Sequence, residues 1–326
     1  MLSANVTTAT VEAAGLGGVV RPVDLLHPEL MPMVEARPPL SVPDELVAAL
    51  RTAPPAPALS DRVDRSEHLV PGDPSVPLRV HAPKSDAVGL RPCLFSIHGG
   101  GYIGGSYGAY DALFDRLSPL LGLVGVSVDY RLAPETSYPG PLEDCYRGLL
   151  WTFEHADDFG VDRKKVGVLG GSAGGGLAAA VAMLSRDRGE VAVAFQVLNS
   201  PMLDDRQATP SSQLDGLPVW SREFNAFGWR SYLGPLYGTG EVPDTAAPGR
   251  ATDLSGLPPA LVTVGAVDGF LDEDVDYALR LNHVGVPAEL HVYPGACHGF
   301  QLAGDGEINR QHNRDVEEWL ARQVRS

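Results

Sequence analysis

Apolar positions along this chain follow two rhythms. Short, mostly apolar runs recur at 92–97, 123–128, 166–169, 191–198, 260–265 and 289–293. Runs of that length, bounded by turn residues, read as buried strands. Between or after them lie longer stretches with apolar residues three and four apart, at 109–121, 140–158, 173–186, 271–283 and 307–324, which predict amphipathic helices. Alternation of buried strands with helices predicts an α/β fold built on a doubly wound, mostly parallel sheet with helices on both faces. Before the alternation begins, 66–70 and 77–82 flank Pro71-Gly72-Asp73-Pro74 and predict an antiparallel hairpin.

Two regions break the rhythm. Residues 1–60 are rich in proline and alanine, with short helical patterns at 27–36 and 43–52. Residues 203–255 form a long insertion between two strands, and its middle carries Trp220, Phe224, Phe227 and Tyr232 at near-helical spacing. An insertion of this length in a compact domain carries structure of its own. The expected organisation is therefore an N-terminal cap segment, 1–55, an α/β core in two parts, 56–202 and 256–326, and an insertion, 203–255, that contributes to the cap. Half of the insertion's aromatic side chains are expected to serve packing alone.

Composition narrows the class. Hydrophobic residues make up 44% of 326, enough for a large core. The formal charge of −16 disfavours nucleic acid and anionic membranes as partners. The three cysteines, Cys93, Cys145 and Cys297, include no C-x-x-C, so neither a disulfide scaffold nor a structural zinc site is expected. No basic residue precedes Arg21, no compact apolar segment follows it, and no apolar run reaches membrane-spanning length. A cytoplasmic, soluble protein is the expectation.

The candidate chemistry centres on Gly170-Gly171-Ser172-Ala173-Gly174-Gly175. A strand precedes it and a small-residue helix follows, the setting in which G-x-S-x-G forms a nucleophile elbow. The turn lifts the serine hydroxyl above the sheet edge and aims the Ala173 N–H and the helix N-terminus at the same space. Gly170 and Gly174 are expected where side chains would collide with neighbouring backbone. A serine hydroxyl needs a base to take its proton, and the base needs an orienting acid. Asp268 lies just past the 260–265 strand and His298 just past 289–293, and the order Ser172, Asp268, His298 suits such a triad. Asp272 is the rival acid. Asp268 lies nearer the strand end; Asp272, Glu273, Asp274 and Asp276 read mostly as the solvated face and N-terminus of a helix.

A second device follows the 92–97 strand: His98-Gly99-Gly100-Gly101. Consecutive glycines let the N–H groups of Gly99 and Gly100 face a developing oxyanion, with Ala173 N–H as a third donor. His98 and Gly101 read as structural members of this loop. Gly99, Gly101 and Gly104 also match G-x-G-x-x-G, with Asp129 ending the next strand, but a dinucleotide site would open its helix inside the motif, and here the loop runs on through Gly108. Tyr102, Trp220 and Phe224 are the candidate substrate contacts. No His/Cys/Asp set has metal-ligand spacing, and acyl transfer of this kind requires no metal and no organic cofactor.

With these motifs in view, the sequence resembles the hormone-sensitive-lipase-like family of bacterial esterases. The match is carried by His98–Gly101, Tyr130-Arg131-Leu132-Ala133-Pro134-Glu135, Leu142-Glu143-Asp144-Cys145, the elbow, Asp268 with Asp272, and His298-Gly299-Phe300. The stretches 250–259 and 276–281 make it most similar to the bacterial heroin-esterase group. The resemblance implies an α/β-hydrolase fold with eight strands, a helical cap and short acyl esters as substrates. It supports Ser172 as nucleophile, His298 as base, Asp268 as orienting acid and Gly99, Gly100 and Ala173 as oxyanion donors. It makes Arg131 and Glu135 structural supports, and it suggests a homodimer. Two departures stand out. Gly171 replaces a residue that commonly carries a polar side chain, and Gly269 replaces the proline of Asp-Pro-Leu-x-Asp. Amidase, lactonase or carbamate hydrolysis on the same machinery stays open. So does a receptor that keeps the fold without catalysis, although receptors of this kind lose the histidine that is present here.

Overall fold

The protein is described from a computed structural model covering residues 21–37, 40, 42–52, 57–84 and 89–325. Its centre is one eight-stranded sheet. In chain order the strands are β1 (Val63–Val70), β2 (Val76–Pro83), β3 (Arg91–Ile97), β4 (Val124–Val128), β5 (Val161–Gly171), β6 (Gln196–Asn199), β7 (Ala260–Val267) and β8 (Ala288–Cys297). Their spatial order is β1-β2-β4-β3-β5-β6-β7-β8. The expected hairpin, β1 with β2, is antiparallel and joins β4 antiparallel; every pairing from β4 to β8 is parallel.

The buried strands are apolar on both faces because helices cover both. On one face α4 (Gly140–Glu154) and α5 (Ala173–Arg188) pack against Phe95, Ile97, Val166 and Val168, and α7 (Leu271–His283) packs against β7 and β8. On the other, α3 (Asp111–Leu121) and α8 (Glu307–Arg325) bring Phe114, Leu117, Trp319 and Leu320 against Leu94, Leu169, Val197 and Leu261. Period-two alternation within each strand divides its side chains between these two cores. Cys93, Cys145 and Cys297 are buried and unpaired. No helix among the described residues is long and apolar enough to cross a membrane.

Three strands depart furthest from the sequence expectation. β5 begins five residues early, through the charged stretch Asp162-Arg163-Lys164-Lys165, because Val161 still pairs with Arg91 across a register shift. Residues 191–195 are apolar but are not strand; β6 starts only at Gln196. β8 runs on through Pro294 and Gly295 to Cys297, where Val267 pairs with Cys297 after a register shift.

The described N-terminal residues form a strap; residues 1–20 of that segment lie outside the description. Helices α1 (Met31–Glu35) and α2 (Asp44–Arg51) match the two short patterns. His27 N–H donates to Gly295 O at 2.9 Å, and the Glu29 carboxylate accepts from Glu307 N and Ile308 N at 2.7 and 2.8 Å, capping the start of α8. Arg51 donates to Ile103 O and Ala133 O and holds Glu135 through two bonds of 2.8 and 2.6 Å. The insertion carries α6 (Arg222–Leu233), whose Trp229, Tyr232 and Leu233 are buried. Arg131 grips the fully buried Asp144 through both carboxylate oxygens, at 2.7 and 2.8 Å.

Candidate active site

Ser172 sits between β5 and α5 with φ 56° and ψ −126°, a conformation that L-residues adopt only under constraint. Crowded backbone supplies the constraint. A Cβ on Gly170 would lie 2.0 Å from Gly174 O, and one on Gly174 would lie 2.0 Å from Ile97 O. Ser172 N–H donates to Asn199 O, and Ser172 O accepts from Gly175, Gly176 and Met202. Gly171 is different. A Cβ there would meet nothing nearer than Tyr110 Oη at 3.5 Å, so sterics do not require glycine.

The parallel pairing of β7 with β8 builds the rest of the constellation. Because Val267 pairs with Cys297, the next residue on each strand, Asp268 and His298, emerge side by side. His298 Nδ1 lies 2.9 Å from Asp268 Oδ2, and Nε2 lies 2.9 Å from Ser172 Oγ. Asp268 Oδ1 accepts from Phe270 N at 3.1 Å, which fixes the carboxylate plane, and the Phe270 ring meets the imidazole edge-on at 5.0 Å. The tautomer that donates Nδ1–H to Asp268 leaves Nε2 free to accept the serine proton. Gly269 takes the place of a stiffer residue, yet the turn closes; Asp268 O accepts from Leu271 N and the helix begins at once.

Asp272 is used elsewhere. Its carboxylate accepts from Ser211 N at 2.7 Å, tying the insertion to the start of α7. The expectation that its neighbours lie on a solvated face fails for two of them. Glu273 and Asp274 are buried. Glu273 accepts from Leu203 N and Asp204 N, but both Asp274 oxygens lack a hydrogen-bond partner among the described residues. Burial pushes both carboxyls well above the ordinary range, and their mutual repulsion adds to the shift of Asp274. The acidic run suits a helix N-terminus and masked the one signal present, the placing of Asp274 three, four and seven residues before the apolar Tyr277, Ala278 and Leu281.

The glycine loop packs against the elbow. A Cβ on Gly99 would lie 3.3 Å from Ser172 Cβ. Gly100 has φ +114° and Gly101 φ +59°, and a Cβ on Gly101 would strike the Trp220 ring at 2.2 Å. Among the described residues no hydrogen bond consumes the N–H of Gly99, Gly100 or Ala173. Three unpaired donors beside one serine hydroxyl can stabilise an oxyanion that forms there. His98 is buried, bonds Gly99 O through Nδ1 at 2.8 Å and stacks on Tyr130 at 4.2 Å. Burial pushes its pKa down to about 4, so it stays neutral and shapes the loop. Asp129, the acid of the dinucleotide alternative, accepts from Tyr107 N within the same loop.

The three candidate substrate contacts separate. Tyr102 does not face the cleft. Its ring is buried, stacks on Tyr232 at 4.0 Å and reaches Met202 O, because φ +66° turns it into the core. Trp220 lies over the glycine loop with its ring centre 6.2 Å from that of His298. Phe224, half-buried, meets Trp220 edge-on at 5.9 Å; Ser221, between them, caps the helix that carries Phe224.

Fold and site together define the class: a family model for the alpha/beta hydrolase fold matches residues 94–302, and the chain belongs to that family, in its hormone-sensitive-lipase-like branch. Among solved structures it is similar to Bacterial Heroin Esterase, at 37% identity and TM-score 0.85, covering 93% of this chain and 99% of that one. It is also similar to esterase LipW from Mycobacterium marinum, at 32% identity and TM-score 0.79, with 92% and 96% of the two chains covered. Esterase LipI of Mycobacterium tuberculosis is 35% identical over 210 residues, 64% of this chain and 65% of LipI, so the match spans just under two thirds of that relative. Carboxylesterase NlhH of the same organism is 35% identical over 228 residues, 69% of this chain and 71% of NlhH.

Proposed function

We propose that this chain is a serine carboxylesterase that hydrolyses short- to medium-chain acyl esters through an acyl-enzyme. The observation that carries the reading is the unbroken line Ser172 Oγ, His298, Asp268, with 2.9 Å at each step. Ser172 Oγ attacks the ester carbonyl as His298 Nε2 takes its proton. The oxyanion is held by the N–H groups of Gly99, Gly100 and Ala173. His298 returns the proton to the leaving alcohol, and water, deprotonated by His298, releases the acid. Asp268 holds the ring and stabilises the imidazolium without becoming protonated. The strap at 21–55 and the insertion at 203–255 serve as a cap. Trp220 limits the depth available to the acyl chain, which favours short esters over long-chain lipids.

The test compares wild type with Ser172→Ala on acetyl, butyryl, octanoyl and palmitoyl p-nitrophenyl esters. Turnover greatest at acetyl or butyryl, and abolished in Ser172→Ala, is the expected result. A palmitoyl maximum refutes the chain-length reading. Wild-type turnover no higher than the mutant's refutes the esterase and favours a receptor. Faster cleavage of the matching p-nitroanilides than of the esters favours an amidase.

A further inference from the structure

Gly171, the residue before Ser172, has room for a side chain and carries none. What occupies the neighbouring space is the phenol of Tyr110, whose oxygen lies 3.5 Å from the Cβ position of residue 171. The same hydroxyl donates to Ile97 O at 3.3 Å. That carbonyl is a junction. Ile97 ends β3, and His98 begins the glycine loop after it. On its other side the carbonyl presses on the elbow, 2.0 Å from the Cβ position of Gly174. Tyr110 itself is fixed. It stands directly before α3, whose first residue, Asp111, accepts from Arg79 at 2.6 Å and bonds His81 at 2.9 Å. Burial raises the phenol well above its ordinary range.

We propose that Tyr110 is a positioning residue of this site: its hydroxyl holds Ile97, at the root of the oxyanion loop, and fills the space that Gly171 leaves open beside the strand end that presents Ser172. The inference rests on the reading of Ser172 as nucleophile. It assigns a reason to Gly171, because a long polar side chain there would compete with the phenol for the same volume. The bond at 3.3 Å is long for a hydroxyl donor, so the effect is one of alignment: tens rather than thousands in rate.

The test is Tyr110→Phe, which keeps the ring and removes the hydroxyl. Turnover of p-nitrophenyl butyrate is expected to fall about tenfold or more in kcat, with KM within twofold. Tm should stay within about 2 °C. Amide exchange at Gly171 should quicken about tenfold. Adding Gly171→Ser supplies a new hydroxyl beside the vacated position and should recover at least a third of the lost kcat. Unchanged kcat overturns the proposal. So does a loss that appears mainly in KM or follows a large fall in Tm, since either marks a merely structural tyrosine. If wild type and Ser172→Ala prove equally inactive, the nucleophile reading fails; the exchange rate at Gly171 then still decides the positioning role, and an unchanged rate overturns it.

Discussion

Replacing Asp268 by asparagine alters the chemistry of one atom and leaves the shape of the side chain alone. The Phe270 N–H still needs an acceptor, so Oδ1 of the new amide stays where it is, 3.1 Å away. That leaves the amide NH2 facing His298 Nδ1 at 2.9 Å. Two donors cannot share that contact, so the ring proton moves to Nε2. Nε2–H then points at Ser172 Oγ across 2.9 Å and cannot take its proton. A wrong tautomer in intact geometry costs about 10⁴ in kcat, or about 5.5 kcal/mol in the barrier. KM should move little, because the amide touches no substrate atom. Asp272→Asn is the control. It weakens one bond to Ser211 N and leaves the imidazole untouched, so kcat should hold within about threefold while stability falls by about 1 kcal/mol. Initial rates on p-nitrophenyl butyrate, with thermal melts of both variants, decide the matter. An Asp268→Asn enzyme retaining more than about a tenth of wild-type kcat, or an Asp272→Asn enzyme losing as much as Asp268→Asn, refutes the assignment.

Acid should destabilise the fold through two buried imidazoles. His98 and His312 are both pushed down to about 4 by burial. Below the ordinary histidine range the unfolded chain takes up protons that the folded chain refuses. Stability is therefore full above about pH 6.5 and lost towards pH 4, by up to about 3 kcal/mol for each imidazole; urea midpoints that agree at pH 7 and pH 5 would contradict this. Asp274 has the opposite sign, because its raised pKa means that ionisation costs more in the folded state as pH rises. Asp274→Asn should stabilise the protein at pH 8 by about 1–3 kcal/mol and by less at pH 5, and an equal shift at both values counts against a buried protonated acid. Trp220→Ala should open the space beside Gly101 and raise octanoyl over butyryl kcat/KM by about tenfold; an unchanged ratio removes Trp220 from the acyl pocket.

The parts of the site legible in sequence were those with local causes. Glycines at 170 and 174 announce a backbone collision, and the collision is what bends the chain at Ser172. The partners were legible because Asp268 and His298 each follow a strand, and parallel register makes them neighbours. What escaped depends on contacts between distant segments. The apolar run 191–195 reads as strand, yet these residues form none, and only Gln196–Asn199 lie in β6. Asp162 to Lys165 read as loop, yet they belong to a strand whose start is set by Val161 across from Arg91. Tyr102 stands beside the oxyanion glycines in sequence, but its positive φ carries the ring away from them. Asp274 lies three, four and seven residues before Tyr277, Ala278 and Leu281 on the buried face of α7, whereas Asp276 is exposed and pairs with Arg280; the acidic run hid that difference.

The strap carries a consequence for how this chain becomes active. Residues 27 and 29 are made well before their partners, Gly295, Glu307 and Ile308, which lie more than 260 positions later. The loop that holds His298 and the start of α8 are thus clasped by a segment that cannot make these contacts until the intervening residues have emerged. Contacts of such sequence separation form late and slowly. The same separation applies within the site: Ser172 and His298 lie 126 positions apart, so the hydrogen bond between them forms only after the whole of β6, the insertion, β7 and β8 has been made.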